Sequence, residues 1–182
     1  MASVDGAIRE SLEEFAGGVF RRGWKGREHE AQSLFSFSFP GPKLATEGLG
    51  LALGGCVPGV EDREAGLHDV DNRVCKDVVI LSSPWETCFG ERREVMEVTR
   101  YPVAAIEWTV CHPWRKPTSK IRADYEYDKR LVKAFSRGRS GLGRPEAAYA
   151  VLLTLAPNPM SLIAARAVNG DLDAGWLTVG HD

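Results

Sequence analysis

The sequence predicts an α/β domain in which a central mixed β-sheet is flanked by helices, in the order α-α-β-β-β-α-β-α. Apolar residues recur at helical spacing in residues 3–22 and 119–137, which indicates two amphipathic helices. Residues 73–81, 103–110 and 147–155 are short apolar runs rich in strand-forming residues. Runs of this length and composition fit strands that are buried within a sheet.

Capping residues and helix-breaking residues indicate the bounds of the N-terminal segments. Ser3 is a suitable N-cap for the first helix, which glycines end after residue 22. A shorter helix is predicted at residues 27–37, and the Pro40-Gly41-Pro42 segment breaks the chain after it. The glycine-rich residues 43–57 fit a strand with a bulge or a close backbone approach. They contain no G-K-[ST] sequence, so a phosphate-binding loop is not indicated.

The remaining segments complete the predicted order. Met96 and Val98 fit a short extra strand, and Gly138 ends the long helix. Residues 160–168 are predicted to form a short helix that stops at Asn169-Gly170, followed by an edge strand at residues 176–179. The chain is interpreted as a single domain, residues 1–182, with three parts: N-terminal helices at 1–40, a core at 43–157 and a C-terminal extension at 158–182.

Composition predicts a globular protein of the cytoplasm. The 182 residues are 43% apolar and 26% charged, and no apolar run approaches the roughly 20 residues of a membrane span. The N-terminus lacks the pattern of a secretory signal, and no membrane partner is expected. The four cysteines are irregularly spaced without a C-x-x-C pair, which suggests reduced thiols. Cys88, Cys111 and His112 do not have the spacing of a known zinc site.

Positive charge is concentrated in residues 114–144. This segment has ten Lys or Arg and three acids, although the whole chain has a net charge of −2. A basic segment on an otherwise acidic protein is typical of a surface that contacts nucleic-acid phosphates, although a solvated helix face followed by a basic loop gives the same pattern. DNA is therefore a possible partner, as is a second copy of the chain in a homodimer. The candidate DNA-binding residues are Arg115, Lys116, Lys120 and Arg139.

Glu107 lies in the middle of the apolar run at residues 103–110. A carboxylate inside a buried strand costs several kcal/mol unless it is paired, protonated or bound to a cation. Because side chains alternate along a strand, Glu107 shares its face with Thr109. Asp77 occupies a similar position in the strand at residues 73–81. These acids are interpreted either as part of a cleft or as structural carboxylates paired within the core.

The succession of the Asp77 strand, the Glu107 strand, a long helix and an apolar strand resembles the core of the PD-(D/E)XK nuclease superfamily, the restriction-endonuclease-like fold. The matching segments are Cys75–Leu81, Ala105–Thr109, Ser119–Arg137 and Ala147–Leu155. The resemblance extends over roughly residues 25–157. It implies that Asp77 and Glu107 are catalytic acids that bind one or two Mg²⁺ or Mn²⁺ ions. It also suggests three further cleft acids, namely Glu30 (or its neighbour Glu28), Asp124 and Asp128.

The superfamily motif has a lysine where this chain has Thr109, and a hydroxyl cannot supply a cation. Lysines at other positions are candidates to replace it. Lys129 is the first choice, with Lys133, Lys120 and Lys116 as further candidates. Lys76 neighbours Asp77, but strict alternation predicts that its side chain points to the opposite face of the sheet.

Three functional hypotheses follow. The first is a metal-dependent, endonuclease-like phosphodiesterase that acts on DNA. The second is a nuclease-like fold that has lost catalysis and serves as a binding or scaffold module, which the threonine at position 109 favours. The third is an unrelated α/β domain with structural acids, in which Glu107 pairs with a buried arginine such as Arg73. A separation between Asp77 and Glu107 above about 8 Å would favour the third hypothesis.

Overall fold

The structure is a computed structural model that describes residues 3–58, 73–85, 88–92, 95–98, 100–112, 119–138, 141–155 and 159–180. Within these residues the chain forms four helices and eight strands. In chain order they are α1 (Val4–Arg22), α2 (Glu28–Ser38), α3 (Pro40–Thr46), β1 (Gly50–Pro58), β2 (Arg73–Leu81), β3 (Phe89–Arg92), β4 (Val95–Val98), β5 (Ala104–Cys111), α4 (Ser119–Ser136), β6 (Ala147–Thr154), β7 (Ser161–Val168) and β8 (Asp171–Gly180).

Six of the strands form one mixed sheet in the order β1-β2-β5-β6-β7-β8. Strands β5 and β6 are parallel, and all other neighbours in the sheet are antiparallel. A parallel pair needs a crossover connection, and α4 lies between β5 and β6 in the chain. Strands β3 and β4 form a separate two-stranded sheet. The predicted α/β class with a mixed sheet and flanking helices is confirmed.

Each face of the sheet is covered by helices. Side chains of α1 and α2 pack on one face, where Phe15 makes edge-to-face contacts with Phe35, Phe39 and Trp108 at centroid distances of 5.5 to 5.7 Å. On the other face, α4 packs Phe135 into a second cluster. Every residue of β5 is buried, so both of its faces are enclosed by these layers. The acidic side chain of Glu107 therefore enters the interior together with apolar neighbours.

Most predicted elements lie where the sequence indicates. The two long helices, the strand at residues 73–81 and the strands that contain Glu107 and residues 147–154 are confirmed. Helix α2 ends just before the Pro40-Gly41-Pro42 segment, as predicted, but that segment begins α3, because proline is well accommodated in a first helical turn. The strand predicted within residues 43–57 therefore begins only at Gly50. Strand β4 matches the predicted extra strand at Met96 and Val98, and β3 is an additional strand.

The predicted helix at residues 160–168 is wrong, because these residues form β7. Buried and partly exposed side chains alternate along most of this segment, as in a strand. The Asn169-Gly170 pair joins β7 to β8, and both residues have positive φ angles, 54° and 86°. This is the backbone of a tight hairpin turn. The C-terminal extension thus adds two strands to the main sheet.

Among the described residues, no helix has the length and apolar character needed to cross a membrane.

Candidate functional site

A polar cleft of about 470 Å³ opens beside the C-terminal half of β5. Its walls come from the start of α2, from β2 and β5, and from one face of α4. The lining residues are Glu28, Asp77, Glu107, Trp108, Thr109, Val110, His112, Lys120, Ile121, Asp124, Tyr127 and Asp128. The acids expected on β2, β5 and α4 therefore share one cavity.

A larger cavity of about 770 Å³ lies near the opposite end of β5, between α1 and α3. Its walls are mostly apolar, with Val4, Leu44 and Val103 among the lining residues. The polar cleft is the better candidate for chemistry, because catalytic sites concentrate titratable groups whose pKa values are perturbed.

Asp77 and Glu107 are neighbours at the inner wall of the cleft. Each carboxyl affects the pKa of the other, and the side chain of Gln32 on α2 also affects the pKa of Asp77. The backbone N–H of Trp108 donates to Asp77 Oδ2 at 2.7 Å. The large separation of the two carboxyls that would favour the third hypothesis is therefore not observed.

Lys76 lies on the same side of the sheet as Glu107, so the expectation that it points to the opposite face is wrong. Its Nζ is 2.6 Å from Glu107 Oε1, and it also lies 5.5 Å from the ring centroid of Phe135 on α4. Val78, two residues later, packs on the opposite face of the sheet, in the core formed with α1 and α2. The regular alternation of side chains is therefore interrupted between Lys76 and Val78.

An irregularity of the backbone accompanies this interruption. The paired ladder between β2 and β5 runs from Ile80 to Val78 and stops before Asp77. On the other side of β2, Gly54 of β1 has a left-handed φ of 58°, a conformation that favours glycine. A local distortion of this kind redirects side chains, as bulges beside active sites do.

The ammonium group of Lys76 is enclosed by protein. Its side chain has no exposed surface, and Lys76 does not line the cleft. It therefore contacts Glu107 from behind, while the accessible part of Glu107 faces the cavity. Burying an ion pair is costly, and the short contact between the two groups offsets part of that cost.

The cleft raises the pKa of each of its buried acids. Burial raises the pKa of Glu107 to about 7, although the neighbouring Lys76 ammonium opposes this change. Burial also raises the pKa of Asp128 to about 6 and raises the pKa values of Glu28 and Asp77. Mutual repulsion adds to the effect at Glu28, where Asp77 is the main repelling group. Such a cluster favours cations, because a bound cation relieves the repulsion.

Thr109 forms its hydrogen bond within the cleft. Its hydroxyl donates to Asp128 Oδ2 at 2.6 Å and so joins β5 to α4. On the other side of β5, the backbone N–H of Val110 donates to Glu28 Oε2 at 3.3 Å. These two contacts fix an acid from α2 and an acid from α4 against the strand that carries Glu107.

The other predicted site residues divide into three groups. Asp124 and Asp128 line the cleft as the resemblance implies, and Lys120, a candidate DNA-binding residue, lines it as well. Glu30 does not line the cleft, because its carboxylate accepts a hydrogen bond from the Arg27 backbone N–H at the start of α2, and Glu28 occupies the cleft instead.

Lys129, the first candidate to replace the motif lysine, pairs with Glu126 on α4, with 2.6 Å between Nζ and Oε1, and does not line the cleft.

The remaining predicted residues, Arg115, Lys116, Arg139 and the side chain of Arg73, lie outside the described part of the structure. The lining residues that were not predicted as site residues include His112 and Tyr127. Tyr127 lies three residues after Asp124 on α4, so its side chain is on the same side of the helix. This helical spacing is the signal that could have identified it. His112 directly follows β5, and its Nδ1 is buried without a hydrogen-bond partner among the described residues.

The donor atoms fit a hard divalent cation better than zinc. Within the described ranges, no group of three or more His, Cys, Asp or Glu side chains is arranged to hold a metal ion. The oxygens of Asp77 and Glu107 nevertheless suit Mg²⁺ or Mn²⁺, since Mg²⁺ is usually held by one or two carboxylates and keeps several waters. The side chains of Cys88 and Cys111 are buried.

In comparisons with known proteins, no protein family, curated protein or solved structure matches the chain.

Proposed function

We propose that this protein is a metal-dependent, endonuclease-like phosphodiesterase that acts on DNA, with Asp77 and Glu107 as its catalytic acids. The observation that carries the proposal is that these two carboxyls are neighbours in the wall of one polar cleft. They come from adjacent strands of a mixed sheet, and α4 connects the second strand to the next, parallel strand. This is the arrangement that the resemblance to the PD-(D/E)XK superfamily implies.

Asp77 and Glu107 would hold Mg²⁺ or Mn²⁺, which supplies an activated water and offsets the negative charge that develops on the phosphate. The protein fixes both acids in place. The Trp108 N–H orients Asp77, and Lys76 holds Glu107 from behind. Lys120 lines the same cleft and provides a positive charge for a phosphate group.

Lys76 places a positive charge beside Glu107 without occupying the position of the motif lysine. Its charge stabilises the ionised form of Glu107, which is the form that can bind a cation. Because its ammonium is enclosed, it positions Glu107 and does not contact the reacting water. Lys76 is therefore a positioning residue in this proposal, and Thr109 contributes only a hydroxyl that is bound to Asp128.

A nicking assay tests the proposal. Purified protein with Mg²⁺ or Mn²⁺ should convert supercoiled plasmid to nicked circles, and Glu107→Gln should lower the rate by about 100-fold or more, because a neutral amide is a poor ligand for these ions. Glu47→Gln, at an exposed position outside the cleft, is the matched control and should retain full activity. Nicking that survives in the Glu107→Gln protein would refute the assignment.

The second candidate is a nuclease-like binding module without catalysis. It is favoured by the Thr109 hydroxyl, which is engaged by Asp128 at the position where the motif has a lysine, and by the enclosure of Lys76. Titration calorimetry separates the two candidates. A folded protein that binds neither Mg²⁺ nor Mn²⁺ at millimolar concentration supports the binding module.

Replacing the threonine tests whether only the lysine is missing. If the wild-type protein binds metal but does not nick DNA, Thr109→Lys should create nicking activity, because the new ammonium group would enter a cleft that already holds both acids. Thr109→Met has a similar length without the charge and should remain inactive. Equal nicking by these two variants would contradict a role for the charge.

A further inference from the structure

An exposed aromatic ring stands at the rim of the cleft. Among the described residues, three large hydrophobic side chains are exposed: Phe37, Trp85 and Tyr127. Only Tyr127, which is 46% exposed, also lines the cavity that contains Asp77 and Glu107. Exposure of a single aromatic ring is ordinary, so the position of Tyr127 at the cleft is what distinguishes it from Phe37 and Trp85.

The surroundings of Tyr127 suit a planar, electron-rich ligand. The guanidinium carbon of Arg130, one turn further along α4, lies 5.8 Å from the centroid of the Tyr127 ring. Lys120 lines the cleft about two turns earlier on the same helix. An aromatic ring beside a guanidinium, with a lysine in the same cleft, is a combination with which proteins stack nucleobases while following a phosphate backbone.

The size and depth of the cleft limit which form of nucleic acid can reach its inner wall. Its volume of about 470 Å³ lies in the range of sites that hold one small-molecule-sized group. Glu107 is only 7% exposed, so a phosphate must enter the cavity to reach it. A base within a duplex is stacked on both sides and paired, whereas stacking on a protein ring requires a base that has left the helix.

We propose that the cleft takes an unpaired DNA strand, with one base stacked on Tyr127 and the adjacent phosphate directed toward Asp77 and Glu107. The inference rests on the proposed nuclease function and adds its substrate class: single strands and single-stranded ends or gaps, in preference to continuous duplex. Tyr127 is then a residue that determines specificity through the shape of the substrate, without reading its sequence.

Binding measurements test this inference without requiring cleavage. Fluorescence anisotropy would compare a labelled 20-nucleotide single strand with the duplex of the same sequence, in buffer that contains Ca²⁺. The wild-type protein should bind the single strand more tightly than the duplex. Tyr127→Ala should weaken single-strand binding roughly 5- to 100-fold, the usual effect of losing one stacked base. Tyr127→Phe should retain binding, because the ring remains.

Phe37→Ala provides the matched control. Phe37 is 67% exposed on α2 but does not line the cleft, so its removal should leave binding of the single strand unchanged. If the wild-type protein nicks duplex DNA but binds single strand and duplex equally, the inference is wrong and the proposed function stands. The same conclusion follows if Tyr127→Ala binds the single strand as tightly as the wild-type protein does. If the protein neither binds nor cleaves either form of DNA, both the inference and the proposed function are wrong.

Discussion

At the scale of single residues, the pair formed by Lys76 and Glu107 determines the character of the site. The pair is buried, with side-chain exposures of 0% and 9%, and its atoms are 2.6 Å apart. A second carboxyl, that of Asp77, lies close enough to raise the pKa of Glu107 further. Without the lysine, two adjacent buried acids would face each other with no positive charge at hydrogen-bonding distance. The cleft therefore depends on a residue that does not line it.

This dependence predicts the effect of removing Lys76. Lys76→Met keeps the length of the side chain but leaves Glu107 buried without its partner, and breaking a buried pair in this way costs about 3–5 kcal/mol of unfolding free energy. The double variant Lys76→Met/Glu107→Gln removes both charges and should recover a large part of the loss. Urea denaturation of the wild-type protein, the single variants Lys76→Met and Glu107→Gln, and the double variant provides the measurement. Additive losses in the double variant would contradict the coupling between the two residues.

The position of the Lys76 side chain could not be predicted from the sequence. Alternation along β2 placed Lys76 and Asp77 on opposite faces, and that rule holds only where the strand is regular. The irregularity at Asp77 moved Lys76 beside Glu107. The glycines at positions 54 and 55 hinted at a bulge in β1, yet the sequence does not show which residue of β2 lies opposite them. Asp77 and Glu107 themselves were predictable, because acids are rare on buried strands.

At the scale of elements, the strands and helices with one dominant pattern were predictable and the C-terminal hairpin was not. The segment Leu162–Val168 is rich in alanine, which favours helices in isolation, whereas its place beside β6 in the sheet determines its conformation. Asn169-Gly170 is typical of a β-hairpin turn, but a glycine just after the last helical residue is also typical of a helix end. Tertiary pairing decided between the two.

The hairpin turn yields a prediction for Gly170. Its φ of 86° is unfavourable for other residues, and an added Cβ would lie 2.8 Å from Cγ of Arg137. Gly170→Ala should therefore lower the unfolding free energy by about 1–2 kcal/mol or more. Gly175→Ala, in β8, is the control, because the nearest atom to its added Cβ is 4.0 Å away, and it should be close to neutral. Equal unfolding midpoints for the two variants would argue against the strained turn.

At the scale of the whole molecule, the cleft couples folding to proton and cation binding. Glu28, Asp77, Glu107 and Asp128 come from three different parts of the fold, namely α2, the central strands and α4. Burial raises the pKa of each of them. Folding thus gathers acids that the unfolded chain keeps apart, and the native state binds protons more tightly than the unfolded state does.

The sign of the pH dependence follows from these raised pKa values. Between the ordinary carboxyl pKa near 4 and the raised values of about 6 for Asp128 and about 7 for Glu107, the native state carries more protons than the unfolded state. The contribution of these acids to stability is therefore fully present below about pH 4 and is lost as the pH rises through about 6 to 7. Urea unfolding between pH 5 and pH 8 measures it, and Asp128→Asn should flatten the decline. An identical decline in the variant would contradict this origin.

A divalent cation should reverse the loss at high pH. At pH 8 the cleft acids are ionised and repel one another, so a cation that binds only the native state stabilises it by mass action. The expected gain is about 2.7 kcal/mol when Mg²⁺ or Mn²⁺ is present at 100 times its Kd. Thermal unfolding with and without the metal measures this gain, and Asp77→Asn/Glu107→Gln should abolish it. A gain that persists in the double variant would place the cation elsewhere on the protein, and the two acids at the centre of the cleft would then lose their assigned role.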